Sequence, residues 1–123
     1  MKSTIDTIFS QAPVAICILK GKTFQVELAN ERYLELVDKD EQFIGKGLFE
    51  SLPELEGQGI REMLNGVLDN GTPFIGNELE VHLVRNGSKE KTFFNFIYQP
   101  LRENDGSVTG IIVVCNEVTT LVD

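Results

Sequence analysis

The chain has 123 residues, 41% of them apolar and 24% charged, with 19 acidic against 11 basic side chains and a formal net charge of −8. That length suits one domain and allows roughly 65–70% of the unfolded surface to be buried, so neither disulfides nor a metal is needed to hold a core. The acidic balance argues against nucleic acid and anionic membranes as partners, and no apolar run approaches the ~20 residues of a membrane span, so direct membrane insertion is not expected.

Ile5, Ile8 and Phe9 fall at i, i+3 and i+4 and predict a short amphipathic N-terminal helix that Pro13 ends. The continuous apolar residues of Val14–Leu19 predict a strand buried on both faces. Lys20-Gly21-Lys22 is a tight turn into an alternating strand, Phe24–Leu28, which completes a β-hairpin. Asn30 stands where that strand gives way to a helix, and its side-chain carbonyl suits an N-cap. Tyr33, Leu34 and Val37 then recur at helical spacing.

Asp40–Gln42 predicts one helical turn ahead of Ile44-Gly45, and Pro53-Glu54-Leu55 reads as a loop or the start of a new turn. A clearer helix spans Gly59–Asn70, with Ile60, Met63, Leu64, Val67 and Leu68 on one face, Gly71 as its C′ glycine and Pro73 as a stop signal. The rest is strand. Leu79, Val81 and Leu83 alternate with Glu78, Glu80 and His82 up to the hairpin signal Asn86-Gly87. Thr92–Gln99 sets Phe94, Phe96 and Tyr98 on one face and Phe93, Asn95 and Ile97 on the other. After Asn104-Asp105-Gly106, Val108–Val118 places Ile111, Val113 and Cys115 on one face and Ile112 and Val114 on the other. A helix, two strands, two or three helices and three strands, in that order, indicate an α+β fold with an antiparallel sheet.

No catalytic or metal constellation stands out. Cys17 and Cys115 accompany the apolar runs Ala15–Leu19 and Ile111–Val114 and read as buried thiols. Pairing them would need Cα atoms within about 7 Å, a matter the spacing leaves open. Reduced thiols suit a cytoplasmic setting. Without a Cys-x-x-Cys or Cys/His cluster no zinc site is expected. His82 is the single histidine, and its place on a polar strand face gives no partner set for nucleophilic catalysis. Gly45-Lys46-Gly47 lacks the spacing of a phosphate loop.

The Ala29-Asn30 join with Tyr33, the Ile44-Gly45 segment and Gly71-Thr72-Pro73-Phe74 resemble, in order, pieces of a PAS sensor domain. Phe93 to Leu101, followed by Asp105-Gly106-Ser107-Val108-Thr109-Gly110, is similar to PAS domains of bacterial sensor histidine kinases. Glu117-Val118-Thr119 resembles the terminal Asp-x-Thr motif of that family, with Glu in place of Asp. The resemblance covers nearly the whole chain. It implies a five-stranded sheet of order 2-1-5-4-3 with helices crossing one face to enclose a pocket.

The resemblance further implies a sensory module within a longer signalling protein, with an output domain in the same parent chain. Glu117 and Thr119 would pass the signal on, although a generic cap of a following helix is the plainer role for them. Haem ligation through the main connecting helix would need a histidine that Gly59–Asn70 lacks, and the flavin-type cysteine motif of the helical region is missing, so no cofactor is expected. Two functions remain. In one, Ile60, Met63, Leu64, Val67, Phe94, Phe96 and Tyr98 line a pocket for a small apolar ligand, the alternative being that they simply fill the core. In the other, the domain binds no ligand and forms a homodimer through Ile5, Ile8 and Phe9 with Phe93, Ile97, Ile112 and Val114 of the outer sheet face.

Overall fold

The computed structural model describes residues 4–118, with the side chains of Ile5 and Asp6 outside that description. Helix α1 (Thr4–Gln11) leads to the hairpin of β1 (Ala15–Lys20) and β2 (Gln25–Ala29). Helices α2 (Glu31–Val37), α3 (Leu48–Ser51) and α4 (Ile60–Asn70) follow, with single 3₁₀ turns at Glu41–Phe43 and Pro53–Leu55. Strands β3 (Phe74–Arg85), β4 (Ser88–Arg102) and β5 (Val108–Val118) complete an antiparallel sheet of order β2-β1-β5-β4-β3. Strands β3 and β4 run longer than their apolar alternation implied, because pairing with neighbours carries them into polar sequence, while β5 has the bounds expected of it.

The inner face of the sheet carries the core. Ala15, Cys17 and Leu19 of β1, Phe94, Phe96 and Tyr98 of β4, and Ile111, Val113 and Cys115 of β5 are all buried there. Tyr33 and Val37 of α2, Leu52 and Leu55 around the second 3₁₀ turn, and Ile60, Leu64 and Val67 of α4 cover them. β1 differs from expectation: its second face, Ile16 and Ile18, is only half buried. The apolar run there reflects a central strand with one face in the core and one on the outer surface of the sheet.

Close approach of the central strands depends on Gly110, which pairs with Lys20 and where a Cβ would collide with the carbonyl of Leu19. At the end of α4, Gly71 takes the left-handed conformation at φ 65° and returns its N–H to Val67 O at 2.9 Å.

Both sheet edges are engaged. Along β2, Val26 N–H donates to Lys46 O at 2.8 Å and Gly45 N–H to Val26 O at 2.7 Å. Along β3, the Gln58 carboxamide accepts from His82 N–H at 2.8 Å and donates to His82 O at 2.9 Å, while Glu54 accepts from Val84 N–H at 3.0 Å. The His82 ring pairs with Glu80 at 2.6 Å on the polar side of that strand.

Candidate functional site

Asn30 organises one end of the site. Its Oδ1 accepts from Tyr33 N–H at 3.0 Å, as an N-cap should, and also from Ile16 N–H at 3.0 Å. Its Nδ2 donates to Val14 O at 2.8 Å. One buried carboxamide thus fixes the start of α2 against β1 and sets Tyr33 and Val37 over the sheet.

Between these helices and the sheet lies a cavity of about 60 Å³. Tyr33, Leu36 and Val37 of α2 form one side of it and Ile60 and Leu64 of α4 another. Leu48, Leu52 and Leu55 close the end contributed by α3 and the turn after it. The floor is Leu19, Val81, Leu83, Phe94, Phe96, Tyr98, Val113 and Cys115. Of the residues expected at a pocket, Ile60, Leu64, Phe94, Phe96 and Tyr98 stand on its wall. Val67 is buried elsewhere in the core, and Met63 is half buried against it. Leu52 and Leu55, which the sequence reading passed over, sit in short turns with no period to mark them.

No lining residue is charged. Burial pushes the Cys115 thiol up to about 12. Burial, with Cys115 close by, holds the Cys17 thiol higher still. The Tyr33 and Tyr98 phenols are raised by burial as well, with Cys17 and Cys115 beside both. The two cysteines are free and lie on the inner face of adjacent strands, offset by one diagonal step: Cys17 pairs with Val113 and Ala15 with Cys115. Among the described residues no group of three or more His, Cys, Asp or Glu is placed to hold a metal ion.

The far end of the site is built on Arg85, which sequence reasoning missed. It stands immediately before the Asn86-Gly87 turn, where hairpin pairing sets it opposite Ser88. Its guanidinium grips both carboxylate oxygens of Glu117, at 2.8 and 3.1 Å. It also donates to Glu90 at 3.0 Å and to the Leu36 carbonyl at 3.3 Å. The hydrogen bond to Glu117 is the main reason the Arg85 guanidinium is held protonated far above its usual range. Beside this, Asn86 N–H donates to Asp38 at 2.8 Å, a second tie between the hairpin and the end of α2. Among the described residues Glu117 is therefore held by an arginine. Thr119 lies outside the described residues.

The residues expected at a dimer contact are distributed as follows. Phe93, Ile112 and Val114 are half buried on the outer sheet face, and Ile97 there is 41% exposed. On α1, which lies against α2, Phe9 is half buried and Ile8 is 64% exposed. The Ile5 side chain lies outside the described residues.

Residues 9–123 match the family described as the PAS fold. A sensory box sensor histidine kinase from Vibrio cholerae superposes with a TM-score of 0.69 at 19% identity, over 94% of this chain and 90% of that one. The PAS domain of nitrogen regulation protein NR(II) from Vibrio parahaemolyticus gives a TM-score of 0.69 at 15% identity, over 95% of this chain and all of the other. An RNA-binding Light-Oxygen-Voltage receptor gives 0.75 at 19% identity over 94% of this chain, which spans 32% of that larger protein. At these identities the likeness to the solved structures is one of fold.

Proposed function

The chain belongs to the PAS family, and on that premise we propose that it is the ligand-responsive sensory module of a cytoplasmic signal-transduction protein, a sensor histidine kinase in keeping with the resemblance of its strands to PAS domains of that class. The observation that carries this reading is the dual position of Leu36. It lines the cavity, and its carbonyl is hydrogen-bonded to the arginine that holds Glu117. A ligand biases an output only if it interacts differently with two conformations of the connecting element. Here α2 touches the cavity directly and the exit of β5 through Arg85. A shift of α2 on ligand binding would alter that carbonyl, the guanidinium and the Glu117 carboxylate in sequence.

The cavity does not fit haem or a flavin. Its wall offers no histidine, its single lining cysteine lies on a strand, and its volume of about 60 Å³ is well below the ~300–1,000 Å³ of ordinary small-molecule pockets. The module is therefore proposed to work without either group. In the full-length protein, Val113→Ile would fill part of the cavity with one methylene and fix the output in one state. A normal response to the stimulus in that variant would overturn the ligand reading.

A second reading, homodimerisation through the sheet, has its own observation. Ile97 and Leu28, 41% and 45% exposed, border the half-buried Ile16, Ile18, Phe93, Ile112 and Val114 on one continuous face. An apolar face of this kind is a common protein contact. The two readings are compatible, because the cavity and this face lie on opposite sides of the sheet.

A further inference from the structure

A groove of about 540 Å³ runs between α2 and the end of β5, and Leu36 and Cys115 border both it and the cavity. We propose that this groove is a second binding site, separate from the cavity, for a small zwitterion: by class a free α-amino acid with an apolar side chain, its carboxylate on Arg32 and its ammonium on Glu35.

The groove has the ~300–1,000 Å³ of ordinary small-molecule sites, which the cavity lacks. Its lining holds two cations, Arg32 and Arg85, and two anions, Glu35 and Glu117. Arg85 and Glu117 are committed to each other through two hydrogen bonds, at 2.8 and 3.1 Å. The side chains of Arg32 and Glu35 have no ion-pair or hydrogen-bond partner among the described residues, although they stand at i and i+3 on α2. One charge of each sign is thus left open on the same wall.

Spacing and sign together select the ligand. Helical neighbours at i and i+3 have Cβ atoms about 5–6 Å apart. A singly charged ligand would pair with one of these side chains and be repelled by the other. A zwitterion whose two charges flank a single carbon pairs with both. A planar guanidinium takes a carboxylate through two parallel N–H donors, which assigns the acid end to Arg32. Leu36 beside Glu35 and Val118 across the groove, both half buried, offer apolar contact to the ligand's side chain. Arg32 and Glu35 are solvent-exposed, so their pairs are screened and the affinity is weak, on the order of 1 mM.

The test is an NMR titration of the domain with L-leucine, with isocaproate, which is leucine without its ammonium, and with isoamylamine, which is leucine without its carboxylate. Leucine should shift the Leu36 and Val118 methyl signals saturably, and each analogue should need a severalfold higher concentration. Arg32→Gln, with folding checked by its spectrum, should weaken leucine severalfold and leave isoamylamine no weaker. Glu35→Gln should bring leucine and isocaproate level. Val113→Ile, which fills part of the cavity, should leave the leucine titration as it is. No saturation by about 50 mM leucine, equal titrations of leucine and either analogue in the parent domain, or an unaltered leucine titration in Arg32→Gln would each overturn the second site and leave the cavity reading standing. Leucine shifts that vanish in Val113→Ile would place the ligand in the cavity, overturning this inference and favouring that reading.

Discussion

The side-chain oxygen of Asn30 accepts from the backbone N–H of Ile16 at 3.0 Å while it caps α2, so a strand and a helix share one acceptor. Removing that side chain deprives both at once. Asn30→Ala should lower stability by about 3 kcal/mol, combining a lost cap with unpaired backbone groups near the core. Asn30→Ser should recover about 1 kcal/mol by restoring the cap alone. Urea denaturation of the three proteins checks this; equal losses for Ala and Ser would mean that the cap contributes nothing.

Arg85 and Glu117 form a bidentate pair at the end of β5. Because Glu117 is 37% exposed at its side chain, the pair should couple by only about 1 kcal/mol in a double-mutant cycle. Function should be far more sensitive. In the full-length protein, Arg85→Met or Glu117→Gln should leave Tm within a few degrees of the parent and abolish the response of the output to stimulus. Retained regulation in both variants would remove Arg85 and Glu117 from the transmission route.

Alkaline pH should destabilise the domain. Cys17, Cys115, Tyr33 and Tyr98 all hold their protons to higher pH in the folded chain than in the unfolded one, because burial disfavours the anions. Their contribution is therefore complete below about pH 8.5 and declines as pH rises, by ~1.4 kcal/mol per pH unit for each thiol and, from about pH 10, for each phenol. Urea midpoints measured from pH 7 to 11 should fall accordingly. Replacing both cysteines with Ala should move the onset up to the tyrosine range. A flat profile in the parent protein would show that these groups ionise equally in both states.

Self-association is expected through the outer sheet face. Ile97 is 41% exposed, so Ile97→Glu should leave the fold intact and convert dimers to monomers. Sedimentation over a range of concentrations provides the measurement. A parent domain that stays monomeric at the highest concentration would rule the interface out. Removing the residues before Pro13 should alter the association if α1 contributes to it.

The order and type of the elements were legible because each long one repeats with its own period: Phe94, Phe96 and Tyr98 at two residues, Ile60, Leu64 and Val67 at three and four. The same periods located Ile60, Leu64, Phe94, Phe96 and Tyr98 of the cavity wall and none of the rest. They failed where a residue's position depends on a distant partner. Helix α4 presents a broad apolar face, and only Ile60 and Leu64 of it border the void, a selection made by the neighbouring Leu52 and Leu55. Glu117 was visible through its resemblance to a family motif. Arg85 lies 32 residues away and carries no local signal of its own. Asn30 announced its cap and concealed its strand bonds for the same reason, since Val14 and Ile16 reach it only after the hairpin folds.

The Gln58 carboxamide on β3 matters to the domain's behaviour in crowded solution. By taking both the N–H and the C=O of His82, it acts as a single residue of a sixth strand that never continues. A border left open at that point is a template on which another polypeptide can add its own backbone, the first step towards fibrils. Gln58→Ala would uncover the template without touching the core. Light scattering on standing should then rise in a domain whose melting curve has barely moved.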